Sequence, residues 1–134
     1  MIIEIAKPTV PAFTKFAERN SIPASPVVRA GDWVHVSALA PINPETGAYD
    51  ILPIDQQARR ILEYLKVCLE AAGSALDRVV KVNVYCSNPA YFAVINTIYA
   101  EYFAEYKPAR AFICVAGWFG PFDLEMDCVA LVRE

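Results

Sequence analysis

The stretch Lys107-Pro108-Ala109-Arg110-Ala111-Phe112-Ile113-Cys114-Val115 carries the arginine best placed for chemistry. Pro108 biases its predecessor out of the helical region and so ends whatever comes before. The chain then alternates as a strand, with Ala111, Ile113 and Val115 on one face and Arg110, Phe112 and Cys114 on the other. A guanidinium at the mouth of a strand is a planar fork that grips a carboxylate. Structural ion pairs use the same residue, so on this stretch alone both readings stand.

Other reactive residue types are sparse. The four cysteines, Cys68, Cys86, Cys114 and Cys128, show no C-x-x-C spacing and sit in apolar runs, as buried free thiols do. The single histidine, His35, cannot build a histidine-rich metal site, and the five glycines form no phosphate loop. The expectation is no metal and no cofactor. At 134 residues with a net charge of −3, the chain suits one domain with a real core and lacks the basic surface of a nucleic-acid binder. No apolar run approaches the ~20 residues of a membrane span. The N-terminus Met1-Ile2-Ile3-Glu4-Ile5 lacks the basic start of a secretory signal, so the expected compartment is the cytoplasm.

The elements that must hold Arg110 read as follows. Residues 1–26, punctuated by Pro8, Pro11, Pro23 and Pro26, form a segment expected to pack on a domain spanning 27–134, with a helical turn or two at Ala12 to Arg19. Val27-Val28-Arg29 and Trp33 to Ser37 read as a hairpin around Gly31-Asp32. Pro41 to Gly47 is turn chemistry, with Gly47 at the permissive position. Asp55 caps a helix to about Ala72, its stripe made by Ala58, Ile61, Leu62, Leu65, Cys68 and Leu69, and Gly73 ends it. In Val79 to Cys86, Val80, Val82 and Val84 alternate with Lys81, Asn83 and Tyr85. Asn88 caps a second helix, with Pro89 first and Phe92, Ile95, Tyr99 and Phe103 on its stripe, running to about Tyr106. The Arg110 strand, a Gly117-Trp118-Phe119-Gly120-Pro121 loop and a last strand from Phe122 to Val132 complete a β-β-α-β-α-β-β order. That order predicts an α+β domain, a mixed sheet with two helices on one face.

By alternation the other face gathers Trp33, His35, Ser37, Lys81, Asn83, Tyr85, Arg110, Phe112, Glu125 and Asp127. It is too aromatic for an idle solvated face and too charged for a monomer core. Packing between identical subunits explains it, as does an ordinary half-exposed sheet face.

From Val27 to Val132 the chain resembles the reactive intermediate deaminase (Rid) family of imine and enamine deaminases, members of which were once described as translation inhibitors or endoribonucleases. The resemblance rests on Ala30-Gly31-Asp32 leading to Ser37, and on Pro41-Ile42-Asn43-Pro44-Glu45-Thr46-Gly47. It continues through Gln57-Ala58-Arg59, Leu69 to Asp77, Val79-Val80-Lys81, Asn96 to Phe103, Pro108-Ala109-Arg110 and Leu124-Glu125-Met126-Asp127. It implies a chorismate-mutase-like fold, a homotrimer packed around a central barrel, and a cleft for a small carboxylate substrate at each subunit interface. By the same resemblance the carboxylate-binding arginine falls on Arg110, the acid that activates water on Glu125, and the active-site serine on Ser37. An asparagine near the pocket falls on Asn96.

Several positions depart from the family pattern. Ala38 replaces the glycine after the serine, Ile22-Pro23-Ala24 lacks a tyrosine, Phe112 stands where a small residue or cysteine is usual, and Trp118-Phe119 replaces Leu-Pro. With Ala38, Phe112, Trp118 and Phe119 as altered walls, the expected reaction is hydrolysis of an imine or enamine acid to a 2-oxo acid and ammonia. Arg110 would hold the carboxylate and Glu125, on the same side by alternation, would deprotonate water. The aromatic replacements suggest 2-aminomuconate-type substrates. A non-catalytic trimeric metabolite-binding or chaperone-like protein is the rival reading, and Glu125 as a plain salt-bridge partner of Arg110 stays open. A ribonuclease finds no support in a chain without a basic stripe.

Overall fold

Period-two alternation organises the strands. The computed structural model describes residues 2–134, with strands β1 (Ile3–Ile5), β2 (Val27–Ala30), β3 (Trp33–Leu39), β4 (Val79–Cys86), β5 (Ala109–Cys114) and β6 (Leu124–Leu131). They form one mixed sheet in the order β1-β2-β3-β6-β4-β5. Every neighbouring pair is antiparallel except β4 and β5, which run parallel. Helix α1 (Pro11–Asn20) precedes the β2–β3 hairpin, α2 (Ile54–Ala71) links β3 to β4, and α3 (Phe92–Tyr102) makes the crossover from β4 to β5. The architecture is the expected α+β domain, with one helix more than the expected pair.

The core lies between the sheet and the helices. The α2 stripe expected from the sequence, Ala58, Ile61, Leu62, Leu65, Cys68 and Leu69, is fully buried. It meets Val34, Val36, Val82, Val84, Met126 and Cys128 from the central strands. Gly73 takes φ 80° just beyond α2, the left-handed conformation that glycine adopts without strain. Helix α1 adds its own wall: Ala12 is buried and Phe13 packs edge-on to Tyr64 of α2. Gly47, at φ 71°, lets α1 approach, since a Cβ there would stand 2.7 Å from the Ala12 carbonyl oxygen.

Three local expectations are corrected. Asp55 lies inside the first turn of α2, where Pro53 is the cap residue, so it meets the positive helix end as a charge and makes no capping bond. Val80 leaves the valine row because β4 slips register against β6 between Val79 and Lys81, which leaves Val80 exposed. Helix α3 stops at Tyr102, short of Tyr106, and starts after a 3₁₀ turn at Pro89–Tyr91 that Asn88 caps by accepting the Ala90 N–H at 2.9 Å.

One polar knot fixes the start of β6 to α2. Buried Gln57 donates through Nε2 to the Leu52 carbonyl at 2.8 Å and to Asp123 at 3.2 Å, and its Oε1 accepts the Asp123 N–H at 2.9 Å. Asp123 also accepts the Ser87 hydroxyl at 2.8 Å. Replacing Gln57 with Leu strands the Asp123 N–H and the Leu52 carbonyl in the interior, which should cost about 2 kcal/mol in urea unfolding. An unchanged midpoint would mean that water replaces these bonds without loss.

Candidate active site

The parallel pairing of β4 and β5 decides where Arg110 goes. Val82 stands opposite Arg110 and Val84 opposite Phe112. Both valines are fully buried under the helices, so Arg110 and Phe112 point to the helix-covered face. There the guanidinium carbon sits 4.8 Å from the ring centre of Tyr99 and 5.8 Å from those of Phe92 and Phe112. Phe92 and Phe112 meet edge-on at 4.9 Å. Among the described residues three ion pairs form, and none includes Arg110. The arginine is held by aromatic faces, each contact contributing about 0.5–2 kcal/mol, and keeps its hydrogen-bonding fork free. One turn before Tyr99, Asn96 holds a buried side-chain oxygen without a partner, and the Tyr99 hydroxyl is likewise unpartnered. Burial pushes the Tyr99 phenol up to about 12, with Arg110 opposing the shift.

Glu125 is elsewhere. It pairs with Tyr85, and Asp127 pairs with Asn83, so these four share the face away from the helices. The expectation that Glu125 faces the same side as Arg110 is therefore wrong within one subunit. Val82 and Tyr85 are three residues apart, and three steps along a strand reverse the side. Within one subunit the salt bridge between Glu125 and Arg110, left open on sequence, does not form. Glu125 is only 6 % exposed, and its carboxylate is pushed up to about 7, first by burial and then by the charge of Asp127. Asp127 is structurally engaged, accepting from Asn83 Nδ2 at 2.8 Å and from the Tyr85 hydroxyl at 2.7 Å. The result is a carboxyl group poised to exchange a proton near neutrality.

Ser37 and Ala38 form a bulge. Val36 pairs with Cys128 and Leu39 with Met126, so two residues of β3 stand against one of β6. The Ser37 hydroxyl donates to the Ser25 carbonyl at 2.6 Å, while Ala38 is exposed. Both border an apolar hollow walled by Phe13, Phe16, Ile22, Leu39 and Ile42.

Of the three aromatic residues expected to wall the Arg110 cleft, Phe112 meets Arg110 within one subunit. Trp118 and Phe119 lie 5.3 and 5.5 Å from the ring of Phe122, at the mouth of β6, and that ring recruits the loop. Phe92 and Tyr99 were the cleft residues hidden in the sequence. They read there as helix stripe, although their seven-residue spacing puts both on the side of α3 that meets β5. Among the described residues no cluster of three metal-ligating side chains occurs, and no helix is long and apolar enough to cross a membrane.

The geometry has counterparts. The Endoribonuclease L-PSP family profile matches residues 18–132. A RutC family protein of Pyrococcus abyssi is 38% identical over 118 residues, covering 88% of this chain and 93% of the relative. Reactive Intermediate Deaminase A, a chloroplastic protein of Arabidopsis thaliana, is 31% identical over 108 residues, covering 81% of this chain and 58% of that one. The crystal structure of E. coli TdcF with bound serine superposes with a TM-score of 0.78 at 30% identity, covering 84% of this chain and 90% of that one. On the extent of these matches, the chain belongs to the Endoribonuclease L-PSP family, which takes in the RutC and Rid proteins.

Proposed function

We propose that this chain is a cofactor-free hydrolase of carboxylate-bearing imines and enamines, active as a homotrimer with sites shared between subunits. Membership in the family supports imine-deaminase chemistry in general. The observation that carries the reading is Arg110, a guanidinium fixed by three aromatic rings and left without an acid partner. The other arginines without an acid partner, Arg19, Arg29 and Arg78, donate to backbone carbonyls, whereas Arg110 keeps its donors for a ligand. Serine in the TdcF structure is a ligand of the size and charge that such an anchor fits.

The chemistry is short. Arg110 takes the substrate carboxylate in two parallel hydrogen bonds, which fixes the neighbouring imino carbon. Protonation of the nitrogen, or of the enamine carbon, gives an iminium. Water adds to that carbon while Glu125 takes one of its protons, forming a carbinolamine. The proton on Glu125 then passes to nitrogen, the C–N bond breaks as the carbinolamine hydroxyl gives its proton back to Glu125, and ammonia leaves a 2-oxo acid. A base near pH 7 suits both transfers.

Because Arg110 and Glu125 lie on opposite faces of one sheet, the reaction needs two copies of the chain. In this reading the β5 edge and α3 of one subunit meet the Glu125 face of its neighbour. Trp33, Ile113 and Val80, exposed at 43, 42 and 38 %, supply apolar surface for that contact. The family match does not extend to a 2-aminomuconate specialisation, and within one subunit Trp118 and Phe119 pack on Phe122, away from Arg110. The non-catalytic reading explains Arg110 but gives no use for a buried, unpaired Glu125.

Three outcomes are expected. Arg110→Ala and Glu125→Gln should each lower kcat/KM for 2-iminopropionate by at least about 100-fold, read as ammonia release. Co-expressed in equal amounts, the two inactive chains should recover roughly a quarter of wild-type activity, because that share of interfaces joins an intact Arg110 to an intact Glu125. No recovery would place both groups of each site on one chain.

The third outcome concerns pH. kcat/KM should rise through about pH 7 as Glu125 ionises and then level off. The folded-state pKa of Glu125 lies above its ordinary 4.5, so the folded protein binds this proton more tightly than the unfolded chain does. Stability is therefore fully present below about pH 4.5 and falls as pH rises to about 7, by roughly 3 kcal/mol in all. Glu125→Gln should abolish that decline, and a parallel pH dependence of melting in the two proteins would sink the assignment.

A further inference from the structure

We infer that the apolar hollow beside the Ser37-Ala38 bulge receives the substrate side chain, so that the preferred substrates are imino acids with an aliphatic side chain of leucine size. The inference rests on the deaminase reading and deepens it, by naming which imine fits.

Strand register brings the hollow to Glu125. Val36 pairs with Cys128 and Leu39 with Met126, so the bulge stands against Asp127, and one step further the same antiparallel count sets Ala40 beside Glu125. Leu39 points into the core, so Ala38 and Ala40 on either side of it turn to the face of Glu125. All three residues line the hollow. On its other flank Glu125 faces Tyr85 of β4, whose hydroxyl is committed to Asp127 at 2.7 Å. An imino carbon attacked by water at Glu125 bears a carboxylate, a nitrogen and a side chain. With the carboxylate on Arg110, room for an apolar group lies on the β3 side, over two alanines. The β4 side offers a tyrosine already tied into a polar network.

The walls of the hollow are fixed from behind. Helix α1 gives way at Ser21, which takes φ 52°, and the turn brings the Ile22 N–H to the Ala17 carbonyl at 3.0 Å. Ala17, Ile22 and Ala24 thereby form one side. Phe13 is held edge-on by Tyr64 at 5.1 Å and Phe16 by Tyr49 at 5.9 Å, so neither ring is free to swing inward. Tyr64 also donates to the carbonyl of Ile42, another wall residue.

Size and polarity then select. The hollow measures about 110 Å³. An apolar protein cavity of about 150 Å³ holds benzene. An isobutyl group therefore fits, a methyl group leaves most of the space unused, and a benzyl group overfills it. Ser37 spends its hydroxyl on the Ser25 carbonyl at 2.6 Å, and among the described residues no charged side chain lines the walls. A carboxylate side chain placed there would lose its water and gain no partner.

The test compares imines made in place from leucine, alanine, phenylalanine and aspartate by amino-acid oxidases, read as ammonia released above the uncatalysed rate. In the wild type, kcat/KM should be about 10- to 100-fold higher for the leucine imine than for the alanine and phenylalanine imines, and lowest for the aspartate imine. Ala24→Phe, at an exposed wall position, should lower the leucine-to-alanine ratio about 10-fold or more. Ile22→Ala should raise the phenylalanine-to-leucine ratio, a gain that misfolding cannot produce. Ratios unchanged in both variants would overturn the inference while leaving Arg110 and Glu125 in their roles. So would a wild type that favours the alanine, phenylalanine or aspartate imine. Ammonia from none of the four would overturn the deaminase reading, and this inference with it.

Discussion

The parallel register of β4 against β5, with Val82 opposite Arg110, is the constraint on which the site depends. A parallel pair needs a crossover, and here α3 supplies it, returning over the face that Val82 and Val84 occupy. That return places Phe92, Asn96 and Tyr99 directly above the first half of β5. Arg110 lies under α3 because its strand partner is a core valine. A one-residue slip would turn the guanidinium onto the other face and lose the contacts with Phe92 and Tyr99 of α3.

The same register sets a cost. Arg110 lacks a counter-ion, and Glu125 is a buried carboxylate beside a second acid, Asp127. Neither arrangement favours folding, and a sequence selected only for stability would have paired the two charges. Tolerance of both rests on a core fully buried along α2, β4 and β6. Asn83 and Tyr85 hold Asp127 in place beside Glu125, whose carboxyl is raised first by burial and then by the Asp127 charge. The strain is local, and the rest of the sheet is indifferent to it.

Most of the fold is legible in the sequence because it depends on period and punctuation. The stripe of α2, the Gly31-Asp32 hairpin, the Asn88 cap and the alternation of β6 each need only near neighbours. The extra helix, α1, is less legible, since four prolines obscure its short apolar face and its partners are Tyr64 and the Gly47 turn, far along the chain. The site is half legible. Residue types and family resemblance single out Arg110 and Glu125, but alternation within a strand cannot say which face of the sheet that strand turns inward. Only the pairing partner decides that, and for β5 the partner is parallel and reached through a crossover. The Val80 slip and the Ser37-Ala38 bulge escaped for the same reason, since each is a relation between two strands. Trp118 and Phe119 were drawn to Phe122 by packing, which spacing does not encode.

Separation of anchor from base has a consequence for specificity. In an enzyme with both groups on one chain, the distance between carboxylate and reacting carbon is set by the fold. In the proposed assembly it would be set by how two sheets meet, through exposed residues such as Trp33, Ile113 and Val80 that the monomer core does not need. Side chains at such a contact can change size with little effect on folding, while shifting the gap between Arg110 and Glu125. Aromatic substitutions in this chain follow that division. Phe112 adds to the aromatic cage around Arg110, whereas Trp118 and Phe119 pack on Phe122, just before the strand that carries Glu125. The chemistry stays common to both kinds of change, because a carboxylate clamp and a proton acceptor near pH 7 are all that hydrolysis of an activated C=N bond requires.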